Sequence, residues 1–357
     1  MKILYLAPIP YDGLRQRPQY IADSLAQKHE VIYVNPTVSW LKYFLKGGDC
    51  PWGYSGVRPS GVQVIQLNGA IALPRFAEGL WSGFGFPERL AIKKWLHSVD
   101  IVWIGFEPWY DLLKHFNGKM VYDLMDDNTK LSTNPLMRRL IVRTRTALEK
   151  RADFLFVTAQ KLYDDAVRKR LTPVLVPNAV DIEQPNSEII PAMKHKAGMR
   201  VFGYVGMIAH WFDMQAIQVI LDAAPENHVI LVGPEEIPRI NDSRIHYVGA
   251  VPKQDVGAWI DSFDVCLYPF KQSELLDTIN PVKIYEYMAQ NKPVIAVKSL
   301  ETKKFADRIA LYENDEQLRI LARSELNSPF RSEQDRQGFI AENSWQQRVN
   351  TILNVLE

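Results

Sequence analysis

Residues 264–297, DVCLYPFKQSELLDTINPVKIYEYMAQNKPVIAV, read as strand, loop, helix, turn, strand. VCLYPF (265–270) and PVIAV (293–297) are short apolar runs without polar alternation, the pattern of strands buried on both faces of a parallel sheet. Between them Asn280 is expected to cap a helix with Pro281 in its first turn, where a missing N–H costs nothing. The helix should end near Gln290 and Asn291, before Lys292-Pro293. Lys283, Glu286 and Gln290 fall at i, i+3 and i+7 and form one polar stripe on an otherwise apolar helix. The free N–H groups of the helix start, with Lys283 beside them, make an anion site suited to a phosphate or diphosphate. One turn on, Glu286 is an acceptor for both hydroxyls of a ribose. A plain surface Lys–Glu pair competes with that reading. The place of the helix start, after the carboxyl end of a strand where open α/β sheets take ligands, favours the site.

The stretch resembles the nucleotide-sugar site of GT-B glycosyltransferases, in which a proline, a lysine and an E-Y pair open the donor-binding helix. Here these are Pro281, Lys283, Glu286 and Tyr287. The likeness is strongest to bacterial sugar transferases of cell-surface polysaccharide assembly, including xanthan-type glucuronosyltransferases and teichuronic-acid transferases. In the large retaining family two glutamates eight positions apart contact the donor. Glu286 matches the second and Thr278 stands at the first, so inverting and retaining outcomes both stay open. The resemblance implies donor contacts from Tyr268, Phe270, Thr278, Asn280, Pro281 and Val282 beside Lys283 and Glu286.

The chain has 357 residues, a length that points to about two domains, with ordinary apolar (47%) and charged (23%) content. No run of eighteen apolar residues is present, so no membrane-spanning helix is expected. MKILYLAPIP opens like a signal peptide, but Pro8, Pro10 and the polar YDGLRQR after them favour a first buried strand. Cys50 and Cys266 lie far apart, and Cys266 falls in an expected core strand, which points to a reduced, cytoplasmic protein. The net charge of +1 hides a split: residues 1–178 hold 24 Lys and Arg against 16 Asp and Glu, and residues 179–357 hold 18 against 25. The basic half points to an anionic partner. By charge alone nucleic acid, an anionic membrane surface and a pyrophosphate-linked acceptor all fit.

KILYLAP (2–8) and HEVIYVNP (29–36) are expected strands flanking a helix from about Pro18 to Lys28. No G-x-G-x-x-G follows the first, which disfavours an NAD or FAD site and hence an oxidoreductase. Residues 11–35 resemble the opening of the same transferase group, which carries a similar Q-R-P at the first helix. That implies an acceptor-side role for Arg15 and Arg17. Residues 38–46, VSWLKYFLK, are aromatic and basic, a candidate for internal packing or an interfacial membrane contact. The Gly- and Pro-rich residues 47–61 read as a loop. Strands over 62–67, 100–106, 119–127 and 153–159 alternate with helices near 87–97, 108–115, 135–151 and 160–170, a parallel doubly wound sheet. The arginines at 138, 139, 143 and 145 make the 135–151 helix a second membrane-surface candidate.

Asp123, Asp126 and Asp127 end a strand, where carboxylates do chemistry in such sheets. The resembled group has a similar Y-D-x-x-D-D segment facing its cleft, which implies Asp127, then Asp126, as base for the acceptor hydroxyl, with Asp123 on the acceptor side. N-capping of the next helix and hydrogen bonds within the strand-end loop are the competing structural readings. A metal-binding DxD pair belongs to the single-sheet GT-A architecture, so no metal and no cofactor are expected. In the second half, RVFGYVGMIAHWFD (200–213) ends a strand at Gly203 and Gly206, which admit a ligand close to backbone. Many related transferases carry an Arg and a Lys in the next loop that clamp the diphosphate. This loop has neither, and His210 is its candidate contact to donor phosphate or sugar. Further strands are expected at 228–234 and 245–252, and backbone near Val251 matches where this fold holds the nucleotide base.

The expected architecture is therefore α/β GT-B: two Rossmann-like, doubly wound parallel-sheet domains facing across a cleft. Residues 1–177 bind the acceptor, 178–198 link, 199–342 bind the nucleotide sugar, and 343–357 form a helix returning to the first domain. The resemblance implies transfer of a hexosyl or glycuronosyl group from a UDP-sugar to a hydroxyl of a saccharide or polyprenyl-pyrophosphate-linked saccharide. Such a protein is cytoplasmic, with peripheral contact to the inner face of an anionic membrane and no nucleic acid. A nucleotide-sugar epimerase that hydrolyses its donor, and a non-catalytic sugar-nucleotide-binding subunit, are the alternatives.

Overall fold

The apolar runs of the first half form one sheet of eight strands. These are β1 (Lys2–Leu6), β2 (Glu30–Ser39), β3 (Gly56–Val57), β4 (Gln63–Gly69), β5 (Ile101–Ile104), β6 (Lys119–Leu124), β7 (Phe154–Val157) and β8 (Pro173–Leu175). Their order is β3-β4-β2-β1-β5-β6-β7-β8, parallel throughout except that β3 runs antiparallel to β4. This computed structural model describes residues 1–12, 15–39, 55–69, 86–113, 115–180 and 199–357. They divide into two units, Met1–Pro177 with Arg348–Glu357, and Asn178–Gln347.

In the first unit the strand order reverses between β1 and β5, the switch point at which doubly wound sheets open a crevice at their carboxyl edge. Register places Tyr5 beside both Tyr33 and Trp103. Their rings stack at 5.4 Å on each side of Tyr5, and Phe156 continues the row at 5.5 Å from Trp103. All four are fully buried, so one face of the sheet is sealed by aromatic area. The helices are α1 (Arg17–Ala26), α2 (Phe86–Leu96), α3 (Asn128–Leu131), α4 (Pro135–Arg151) and α5 (Gln160–Arg168). α4 starts where the sequence dictates: Asn134 Oδ1 accepts the N–H of Leu136 (2.9 Å) and Met137 (3.1 Å), with Pro135 in the first turn.

Two expectations change. The loop expected over 47–61 contains β3, because Gly56 and Val57 pair with Val64 and Gln63. The helix expected near 108–115 is a 3₁₀ stretch, Glu107–Leu112. Of the 38–46 segment, Val38 and Ser39 extend β2, and residues 40–54, including Cys50, lie outside the described residues.

In the second unit β9 (Arg200–Val205), β10 (Asn227–Val232), β11 (Ile245–Gly249), β12 (Val265–Tyr268), β13 (Val294–Val297) and β14 (Ala310–Tyr312) make a six-stranded parallel sheet. The order β11-β10-β9-β12-β13-β14 is the 3-2-1-4-5-6 arrangement of a doubly wound nucleotide-binding sheet, reversing between β9 and β12. Its helices are α6 (Met214–Ala223), α7 (Lys253–Asp261), α8 (Val282–Ala289), α9 (Asp315–Arg323) and α10 (Glu333–Glu342). The final helix is α11 (Trp345–Leu356). Of the 178–198 linker, residues 181–198 lie outside the described residues. Cys266 is free and fully buried in β12, where burial pushes its thiol well up.

Two glycines carry the second sheet's close packing. The Phe263 ring lies where a side chain on Gly203 would stand, 2.1 Å from its Cβ position. At the carboxyl edge Gly233 has φ +141°, and a Cβ there would meet the Gly206 carbonyl at 1.9 Å. Gly203 thus serves packing against Phe263 rather than approach of a ligand.

Candidate functional site

The carboxyl edge of the second sheet collects most of the donor-site candidates. α8 begins after β12, and its N-cap position is Pro281, not Asn280. Asn280 is buried and holds two other segments: its Oδ1 accepts the Asn178 N–H (2.8 Å), and its Nδ2 donates to Glu301 Oε2 (2.7 Å). Asn280 is therefore a brace under the helix start. Thr278 is also buried, and its hydroxyl donates to the Leu275 carbonyl (2.7 Å), closing a turn instead of facing a ligand. Val282 and Lys283 occupy the first turn and are half-buried.

Glu286 is the charged centre of this edge. Its side chain is 9% exposed and its two oxygens are taken by two ammonium groups, Lys283 Nζ at 2.7 Å and Lys253 Nζ at 2.9 Å. Burial alone would push this carboxyl up; the charges of Lys283 and Lys253 overcome that and hold it at about 2. Each carboxylate oxygen has a further lone pair, so the ion cluster can still accept hydroxyl donors. Lys253 was not among the sequence candidates, because it stands 33 positions away, at the start of α7. Its one sequence signal is that it follows the 248–251 segment assigned to the nucleotide base.

The strand exits beside α8 are apolar. Tyr268 and Phe270 stack at 4.2 Å, and both are buried. Residues 206–213 cross from one strand exit to the next. Ile208 N–H donates to the Pro234 carbonyl (2.9 Å), Asp213 N–H to the Pro269 carbonyl (2.8 Å), and Phe212 pairs with Phe270. His210 is exposed, its ring edge-on to Trp211 at 4.7 Å. Val251 is half-buried against the core of this unit.

In the first unit the acidic strand end separates into three circumstances. Asp123 is buried against Arg17, whose Nε and Nη2 reach its carboxylate at 2.8–3.2 Å. The remaining Arg17 nitrogen donates to the carbonyls of Val176 (2.8 Å) and Pro177 (3.3 Å). Arg17 and Asp123, both expected to meet an acceptor, are thus engaged with each other and with the chain leaving β8. Asp127 caps α3 through Thr129 and pairs with Arg145 at 2.9 Å. The competing capping reading describes it, and Arg145 adds an ion pair that spacing does not reveal. Asp126 is half-buried, and its carboxylate has no hydrogen bond or ion pair among the described residues. Burial pushes it up to about 7; Arg17 opposes this, while Glu107, Asp123 and Asp127 add to it.

Sequence reading also passed over Glu107, fully buried, which accepts from Tyr122 Oη and Asn128 Nδ2, both at 2.9 Å. Burial raises its carboxyl as well. Arg15, the remaining acceptor-side candidate, pairs with Asp23 and lies over the Tyr20 ring at 4.7 Å.

Residues 199–317, which contain the whole Glu286 cluster, match the family described as glycosyl transferases group 1. TuaH of Bacillus subtilis (strain 168), provisionally named a teichuronic acid biosynthesis glycosyltransferase, is 22% identical over 327 residues, covering 82% of this chain and 79% of TuaH. Two solved structures align over 100% of this chain and 99% of their own. Anabaena Alr3699/HepE in complex with UDP and glucose does so at TM-score 0.69 and 14% identity. A trehalose-6-phosphate protein from E. coli bound with UDP-2-fluoro glucose does so at TM-score 0.69 and 11% identity. The fold is GT-B. The match to the group 1 family lies wholly within the second unit.

Proposed function

We propose that the protein transfers a hexosyl or glycuronosyl group from a UDP-sugar to a hydroxyl of a saccharide or lipid-linked saccharide in polysaccharide assembly. The observation that carries this reading is the Lys253–Glu286–Lys283 cluster at the start of α8, inside the group 1 domain. Glu286, kept ionised by the two lysines, accepts the ribose hydroxyls of the donor. Lys283 and the first N–H groups of α8 meet the diphosphate. UDP is favoured because the HepE structure holds UDP and glucose and the E. coli protein holds UDP-2-fluoro glucose.

In the reaction the bond from the anomeric carbon to the diphosphate oxygen breaks, and a bond from that carbon to the acceptor oxygen forms. The bond pair leaves with UDP, whose growing charge Lys283 offsets with protein cations rather than a metal. In an inverting reaction the acceptor proton passes to Asp126. Of the two candidate bases Asp126 is the one not already bound, and its value of about 7 suits a base working near neutral pH. In a retaining reaction the proton passes to the departing phosphate, and the carboxylates position the acceptor. An open Asp126 also favours a transferase over a non-catalytic binding subunit.

Thermal unfolding with UDP, GDP, dTDP, ADP, CMP and NAD tests the reading, with Glu286→Ala alongside. UDP well above its dissociation constant should stabilise the wild type by about 2–4 kcal/mol, with the gain lost in the variant. No gain with UDP in the wild type would overturn the proposal.

A further inference from the structure

We propose that Lys271 is a further donor-binding residue, the cation that meets the nucleotide's phosphates from the side of β9 where residues 206–213 carry no lysine or arginine. The inference rests on the nucleotide-sugar reading above and adds a residue to it.

Most strand exits of the second sheet are followed along the chain by a lysine or arginine that a carboxylate already holds. The first one after β10 is Arg239, held by Glu235 at 2.6 Å. After β11 it is Lys253, on Glu286 at 2.9 Å; after β13 it is Lys298, on Glu313; after β14 it is Arg319, on Glu316 at 2.7 Å. No lysine or arginine lies between β9 and β10. The first after β12 is Lys271, and among the described residues no carboxylate holds it. A cation without a counter-charge, where the first lysine or arginine after β10, β11, β13 and β14 is held by a carboxylate, leaves positive potential for an anion.

Lys271 is also a placed cation. Its N–H donates to the Trp211 carbonyl (2.8 Å), and the neighbouring Phe270 pairs with Phe212. Its Nζ donates to the His210 carbonyl (3.0 Å). These bonds fix it where the exits of β9 and β12 are laced together, the point at which the strand order reverses and such sheets bind nucleotides. A carbonyl satisfies one of the three ammonium donors, so the others remain for phosphate oxygens. Lys283 stands at the same carboxyl edge but shares its charge with Glu286. A diphosphate therefore finds its second cation in Lys271.

Calorimetric titration of the full chain with UDP and with uridine tests this, using wild type, Lys271→Met and Lys271→Arg. The Met variant should bind UDP about tenfold more weakly, the loss of one charge-assisted contact, with uridine affinity unchanged. The Arg variant should restore most of the UDP affinity. Met binding UDP as tightly as a UDP-binding wild type would overturn the inference and leave the nucleotide-sugar reading standing. Equal weakening toward UDP and uridine would assign Lys271 to loop support and would overturn it too. A wild type that takes up no UDP removes the reading and the inference together.

Discussion

Asp127 uses its carboxylate on Thr129 and Arg145, whereas Asp126 beside it is unbound among the described residues and is pushed up to about 7. The two were ranked the other way from sequence, since Arg145 approaches from α4 and leaves no local signature. Asp126→Asn is expected to lower transfer by at least about 10²-fold, with donor affinity intact, and wild-type activity should fall as pH drops through about 7. Near-normal turnover in the variant would remove Asp126 from proton transfer. Stability gives an independent readout. Because the folded state holds this proton to a higher pH than the unfolded chain, the wild type loses stability as pH rises from about 4 through 7. The variant should therefore melt higher above pH 7 and like the wild type well below pH 4. Glu286 runs in the opposite sense: with its carboxyl held at about 2, its contribution is present at neutral pH and disappears only as pH falls through that value.

At the scale of elements, the strand–helix–strand of residues 264–297 was legible because buried parallel strands are apolar throughout and the helix shows its own period. β12, α8 and β13 fall within it. What holds the helix start was not legible. Asn280 carries the residue type and position of a cap, but its amide is drawn to Glu301, a buried carboxylate 21 residues on, and to the backbone of Asn178. A buried acceptor outweighs a local cap, because leaving it unpaired costs more than the cap returns. Asn280→Ala is accordingly expected to lower unfolding free energy by about 2 kcal/mol in urea titration, above the usual cap value of about 1. A loss below about 0.5 kcal/mol would mean that the brace carries little. Gly203 was read for its freedom and serves packing against Phe263, a partner 60 positions away that spacing does not announce.

For the whole molecule, the basic first half has a structural counterpart on α4. Leu136 and Val142 are exposed on this helix, which also carries Arg138, Arg139 and Lys150, and among the described residues no carboxylate holds these three cations. Arg143 and Arg145, counted with them in the sequence, are paired with Asp111 and Asp127. No described helix is long and apolar enough to cross a membrane. Vesicles containing anionic lipid should co-sediment the protein at low ionic strength and release it at high, and Arg138→Glu with Arg139→Glu should weaken binding at least about tenfold. Equal binding by the double variant would exclude this face.

The sequence by itself determined the alternation of buried strands and helices, the two-sheet architecture and the helix that bears Lys283 and Glu286. Those follow from periodicity and chain-local chemistry, which any short window displays. Tertiary structure alone decided which charges are open: Arg17 closed on Asp123, Arg145 closed on Asp127, Lys253 brought to Glu286, and Asp126 and Lys271 left without a counter-ion among the described residues. The physical reason is that the state of a charged group is set by the groups within a few ångströms of it, and in a parallel sheet those neighbours come from strands and helices far apart in the chain.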